Sequence, residues 1–169
     1  MAQVPHDACG VATNDANAAM SYNSQEMNLD GFSVVDFPPR NDSGFVYVLC
    51  WVAMGEEVPF YVGQTQSIWG RLNDYYWADF QASTDFRVGE AVKYLSTQNL
   101  LVVARYRLSA DRQREETATI ISLHAEGRRL LNDCQGFDYR TATKAEETTK
   151  VRRFIDGLIA SRCFPDGQI

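Results

Sequence analysis

Tyr47, the run Tyr61-Val62-Gly63, Arg71 and, further downstream, Glu116 are the chemical types that phosphodiester hydrolysis needs together. Water must be prepared for attack, a cation must meet the charge that grows on the phosphoryl oxygens, and a metal-bearing carboxylate must stand near the leaving oxygen. A tyrosine, an arginine and a glutamate can fill those three roles.

The surrounding residues say which elements would position them. Phe45 to Val52 reads as a buried strand, Met54 to Pro59 contains turn residues, and Phe60-Tyr61-Val62 reads as a second strand ended by Gly63. Two short strands joined in this way predict a hairpin. Ser67 is a cap for a helix that carries Ile68, Leu72, Tyr75, Tyr76 and Phe80 at spacings of three and four. Arg71 flanks that apolar stripe, so its stem can lie on the hairpin while its guanidinium faces a groove, a geometry suited to two phosphate oxygens at once. Val88, Ala91, Val92 and Leu95 predict a further helix, and Leu100 to Leu108 a third strand with Arg105 and Arg107 on one face. Ser109 or Asp111 can cap the helix that begins near Glu116, and Gly127 ends it. Thr143 with Glu146 forms a capping box for a last helix with an apolar stripe of Val151, Phe154, Ile155, Leu158 and Ile159.

Val46-Tyr47, Phe60-Tyr61-Val62-Gly63-Gln64-Thr65 and Arg71-Leu72, with Arg71 eight residues after Gly63, resemble the defining motifs of the GIY-YIG nuclease family. The resemblance covers about Phe45 to Asn132, with Phe45 where the family's first motif has glycine. It implies an α+β fold with a small three-stranded antiparallel sheet flanked by helices, one divalent ion (Mg²⁺ or Mn²⁺) and endonucleolytic hydrolysis of DNA, with RNA as a second candidate substrate. Carried onto this chain, the catalytic residues are Tyr47, Tyr61, Arg71 and Glu116, with Glu116 as the metal ligand. Gly63, Gln64, Arg105, Arg107 and Asn132 are candidate substrate contacts. Asn132 matches the family's late asparagine, although the stretch from Glu116 is about four residues longer than in family members. Glu115 is adjacent to Glu116 and stays open as the ligand; Glu116 alone shares a helical face with Ile120 and Leu123.

A net charge of -6 runs against a polyanionic substrate, because nucleic-acid binders usually carry a basic footprint. Its distribution resolves part of the conflict. Residues 1–43 hold six acids and one base, whereas the remaining 126 residues hold 16 acids and 15 bases. The chain therefore divides into an acidic N-terminal arm, 1–43, loose or packed on the core, and a nuclease-like domain, 44–169. Deleting an arm that restrains the enzyme would raise affinity for DNA. At 45% hydrophobic residues the chain can bury one good core.

No segment reaches the roughly 18–20 apolar residues of a membrane span, and the N-terminus lacks the basic start and apolar run of a signal peptide. Cys9, Cys50, Cys134 and Cys163 have no paired spacing for zinc, and His6 and His124 offer no histidine cluster. Reduced, mostly buried cysteines in a cytoplasmic protein are the expectation, with oligomerisation through the last helix a minor alternative. The runner-up to an enzyme is a nucleic-acid or protein binding module on the same fold with weak or lost catalysis. The two differ in whether Tyr47, Tyr61, Arg71 and Glu116 converge on one cleft.

Overall fold

The structure, a computed structural model, describes residues 33–34, 44–134 and 136–163. Its centre is an antiparallel sheet of three long strands, β2 (Phe45–Ala53), β3 (Glu56–Thr65) and β4 (Val102–Leu108), to which a two-residue strand β1 (Ser33–Val34) is added. The order across the sheet is β1-β4-β2-β3. Four helices accompany it: α1 (Ile68–Tyr76), α2 (Ser83–Thr97), α3 (Arg112–Ala125) and α4 (Lys144–Cys163). The chain is thus of the α+β class. β1 is the described part of the acidic N-terminal stretch and pairs Val34 with Arg105; the rest of 1–43 lies outside the described residues.

The hairpin forms as the turn residues require. Met54 and Gly55 both have positive φ, 51° and 83°, and two positive φ values in a two-residue loop match the right-handed twist of the flanking strands. β3 is longer than its sequence predicts at both ends: it begins at Glu56, inside the stretch read as turn, because a two-residue turn at Met54-Gly55 suffices, and it runs through Gly63 to Thr65 rather than stopping at the glycine. The register slips between Leu49, opposite Tyr61, and Cys50, opposite Pro59, which leaves Phe60 as an extra residue. Pro59 cannot donate to a ladder, and an edge-strand bulge is where that costs least.

That bulge has a consequence for side-chain direction. Strand side chains alternate between faces, so one inserted residue reverses the alternation beyond it. Val58, Phe60 and Tyr61 all join the core on one face, with Tyr47, Leu49 and Trp51 of β2, and Val62 turns to the other. The first face is covered by Val88, Ala91 and Leu95 of α2 and Val151, Ile155 and Leu158 of α4. The second, Val46, Val48, Cys50 and Val62, is covered by Leu123 of α3 and by Leu130. Each fully buried side chain of this size stabilises by about 1.5–3 kcal/mol relative to exposure.

The helix ends follow their caps. Ser67 Oγ accepts from the Gly70 amide at 3.3 Å, and Asp111 from the Arg114 amide at 3.3 Å. Gly127, at φ 74°, closes α3, and its amide donates to the His124 carbonyl at 2.9 Å. Thr143 and Glu146 make the reciprocal pair of a capping box at 3.2 and 3.3 Å. α1 ends at Tyr76, so Phe80 lies beyond it, against Phe86 and Phe137. No described helix is long and apolar enough to cross a membrane.

Candidate active site

A cleft of about 320 Å³ opens beside the edge strand β3, bounded by α2, α3 and the 3-10 turn Leu131–Asp133. Tyr61 and Glu116 both line it, with Asn132, Thr84, Arg87 and Cys134. Its volume sits at the small end of the roughly 300–1,000 Å³ usual for ligand sites. Tyr61 reaches the cleft because of the bulge, and Glu116 because the N-terminal half of α3 stands at the same edge.

Behind Tyr61 lies a cluster of three phenols. The hydroxyls of Tyr47 and Tyr75 share a short hydrogen bond, Tyr75 also hydrogen-bonds Tyr61, and the Tyr61 and Tyr75 rings meet edge to face, 6.0 Å apart at 89°. Tyr47 is 1% exposed and Tyr61 6%. Burial raises the pKa of all three phenols, with Tyr61 adding to the rise at Tyr47 and both other phenols adding to it at Tyr75. At Tyr47 the opposing pull of Tyr75 and Arg71 is too small to reverse the direction. Burial thus outweighs the Arg71 charge at Tyr47, and at neutral pH these side chains are protonated.

Arg71 lies with its guanidinium carbon 5.0 Å from the centre of the Tyr75 ring and pairs with Asp85 of α2 at 2.7 Å. Burial works to lower its pKa, but Tyr75, Tyr47 and Asp85 raise it, so the guanidinium stays charged. Its Nε is buried without a hydrogen-bond partner. The charge of Arg71 is felt at Tyr47, at Tyr61 and at Glu116. Glu116 is raised from the ordinary carboxylate value by burial, against the hydrogen bond from Gln64 and the pull of Arg71.

Of the four residues expected to share one cleft, Tyr61 and Glu116 line it, whereas Tyr47 and Arg71 lie behind Tyr61, against Tyr75. No family model, curated protein or solved structure matches this chain.

Of the two adjacent glutamates, Glu115 pairs with Arg107 at 2.5 Å, whereas Glu116 faces the cleft. The candidate substrate contacts divide. Gln64 touches Glu116 and belongs to the site. Arg105 and Arg107 do not: they stand opposite Val48 and Val46, on the sheet face away from Tyr47 and Tyr61. There Arg105 holds Glu57 through two hydrogen bonds, at 2.8 and 2.5 Å. Gly63 is a packing requirement rather than a ligand contact, because a Cβ there would come within 2.6 Å of Tyr47 Cζ and 2.9 Å of Tyr61 Cε1. Asn132 lines the cleft, but its amide oxygen accepts from the Val62 amide at 2.8 Å and its amide nitrogen donates to the Val62 carbonyl at 2.7 Å.

Tyr75 and Arg87 were not among the candidates read from sequence. Tyr75 sits in the apolar stripe of α1 and counts there as core; the available signal was its hydroxyl, which needs a partner once buried, four residues after Arg71. Arg87 interrupts the buried run from Phe86 to Gly89, and a charged residue inside such a run is the signal of a specific partner.

Proposed function

We propose that this protein is a divalent-metal-dependent endonuclease of the GIY-YIG type that hydrolyses phosphodiester bonds of DNA in the cytoplasm. Support comes chiefly from one observation: Tyr61 and Glu116 share a cleft of about 320 Å³, with Arg71, Tyr47 and Tyr75 in contact or electrostatic reach behind them. Sequence order does not require that convergence, since Glu116 lies 55 positions after Tyr61 and on a helix, whereas Tyr61 is on a strand.

Among the described residues no group of three or more His, Cys, Asp and Glu side chains could cage a metal. A lone carboxylate fits Mg²⁺ or Mn²⁺ nonetheless, because Mg²⁺ is commonly held by one or two carboxylates, water and substrate phosphate. Glu116, held by Gln64, would be that ligand, and the ion would supply neutralisation of the charge that develops in hydrolysis. The remaining work falls to the chain itself. Arg71, steered by Asp85, meets the charge growing on the phosphoryl oxygens, an effect of the kind worth about 3–4 kcal/mol. Tyr61 faces the attacking water and accepts its proton as the phenolate. Tyr75 donates to the Tyr61 oxygen, Tyr47 hydrogen-bonds Tyr75, and the Arg71 charge favours the phenolate that burial opposes.

The test is nicking of supercoiled DNA with Mg²⁺ or Mn²⁺, alongside linear, single-stranded and branched DNA and RNA. Glu116→Ala and Arg71→Ala should each abolish cleavage in a folded protein; undiminished cleavage by either removes the assignment. A binding module without catalysis is the second reading, favoured by the Arg71–Asp85 pair, which already offsets the arginine charge. Binding of the same DNA without cleavage under any metal would establish that reading.

A further inference from the structure

Arg71 already holds an anion. Its Nη1 donates to Asp85 Oδ2 at 2.9 Å and its Nη2 lies 2.7 Å from Asp85 Oδ1, so the two terminal nitrogens grip one carboxylate as a fork. A guanidinium has two edges that can hold an anion by two bonds, one between the terminal nitrogens and one that includes Nε. The Nε of Arg71 is buried, so only the first edge is open to a solute, and Asp85 fills it. Tyr47 and the face of the Tyr75 ring hold the guanidinium from the inside. A phosphodiester has two non-bridging oxygens that fit the same fork, and it can take that edge only where the carboxylate leaves.

The surroundings of Asp85 suit such an exchange. Its charge is felt at Tyr61 on the cleft wall, as is the charge of Glu116. The pair is part-exposed, 28% at Arg71 and 22% at Asp85, so water and a solute reach it, and ion pairs open to water hold weakly. The carboxylate also has support besides Arg71. Asp85 is the third residue of α2, and Ala82 at the N-cap gives that helix no side-chain cap. The positive end of α2 therefore favours the carboxylate after Arg71 has left it.

Resting on the nuclease reading above, we propose that Asp85 is a stand-in for the scissile phosphate: it keeps the Arg71 fork aligned and gives way when the phosphate arrives. Asp85 is thus a positioning residue that sets substrate affinity through Arg71. A fork paired with Asp85 about nine times in ten leaves about one molecule in ten competent and weakens apparent affinity about ten-fold.

The experiment measures binding of the DNA that the unaltered protein cleaves best, by fluorescence anisotropy in a Glu116→Gln background where turnover is stopped. Asp85→Asn keeps the shape and loses the charge, and should bind about ten-fold more tightly than its background. Removing any acid favours a polyanion a little, so the gain must depend on Arg71. With Arg71→Gln also present, Asp85→Asn should change affinity by less than about two-fold. Asp74→Asn, at an exposed position of α1, should do no more than that. Asp85→Glu keeps the carboxylate and should keep the low affinity. With Glu116 restored, Asp85→Asn should lower KM about ten-fold and leave kcat within about three-fold. Unchanged or weaker binding by a folded Asp85→Asn protein, or a gain that persists without Arg71, overturns the stand-in. A fall in kcat at constant KM overturns it too, and makes Asp85 a residue that aims Arg71 in the transition state. If the parent protein neither binds nor cleaves any nucleic acid, the nuclease reading and the stand-in fall together, whereas cleavage with an unaltered KM in Asp85→Asn removes the stand-in alone.

Discussion

Asn132 holds Val62 by both of its outward backbone groups, at 2.8 Å to the amide and 2.7 Å to the carbonyl. Val62 lies on the edge strand β3, one residue after Tyr61, and its outward groups would otherwise face the cleft unpaired. The side-chain amide completes the sheet edge as a neighbouring strand would, and it anchors the 3-10 turn that forms one wall of the site. An asparagine that resembles a substrate contact thus holds a backbone in place.

Asn132→Ala is expected to destabilise the fold by about 1–3 kcal/mol, since it leaves two part-buried backbone groups unsatisfied. Asn132→Asp should be comparably harmful, because a carboxylate cannot donate to the Val62 carbonyl. Urea unfolding measures both. Unchanged stability with lost substrate affinity would return Asn132 to the role of ligand.

Glu116 should show the opposite pattern. Burial raises its folded pKa above the unfolded value, so the folded state binds the proton more readily. Stability from this group is fully present below the unfolded pKa and is lost as pH rises through the folded one. Glu116→Gln removes an ionised carboxylate from a half-buried site, so thermal melts should find it more stable than the parent at pH 7–8, with the difference vanishing below about pH 4. Melts that coincide at every pH would show that Glu116 carries no such penalty.

Cleavage should climb with pH. Tyr61 is protonated at neutral pH and its pKa is raised by burial; if its phenolate is the base, log kcat/KM rises with a slope of about one from roughly pH 6.5 to 9. Tyr61→Phe should flatten that profile as well as slow the reaction. A flat profile in the parent would exclude a tyrosine base.

The Tyr47–Tyr75 bond predicts a non-additive cycle. Tyr47→Phe takes one of two partners from the Tyr75 hydroxyl, and Tyr75→Phe takes a partner from both Tyr47 and Tyr61, so the second should cost more within a range of about 1–3 kcal/mol. The double variant should cost less than the sum, because the Tyr47–Tyr75 bond that both single changes break is lost only once. Chemical denaturation of the four proteins measures the coupling; strict additivity would mean that the hydroxyls do not depend on each other.

Gly63→Ala places a methyl 2.6 Å from Tyr47 Cζ, inside a core with no room to give. Overpacking of this kind costs about 1–3 kcal/mol, and Tyr47 and Tyr61 must move apart to relieve it. Cleavage should fall more than stability. A fully active Gly63→Ala protein would separate Tyr47 from the chemistry.

The sequence by itself determined the elements. The unbroken apolar run Phe45 to Ala53, the Met54-Gly55 turn, the Ser67 and Asp111 caps, Gly127 and the Thr143–Glu146 box each act within a few residues, and local physics of that range is written in local order. It also determined which residue types were available for the chemistry. Only the tertiary structure decided how they are used. A bulge at Phe60 reverses the alternation and turns Tyr61 into the first core face, which no count of period two from Val58 foretells. The pairing of β4 with β2 carries Arg105 and Arg107 to the far side of the sheet, where Glu57 and Glu115 hold them. Arg87 of α2 meets Glu147 of α4 across 60 residues, and Tyr47 meets Tyr75 across 28. Charge, burial and hydrogen bonding fall off over a few ångströms of space, so residues distant along the chain acquire their chemistry only when packing brings them together.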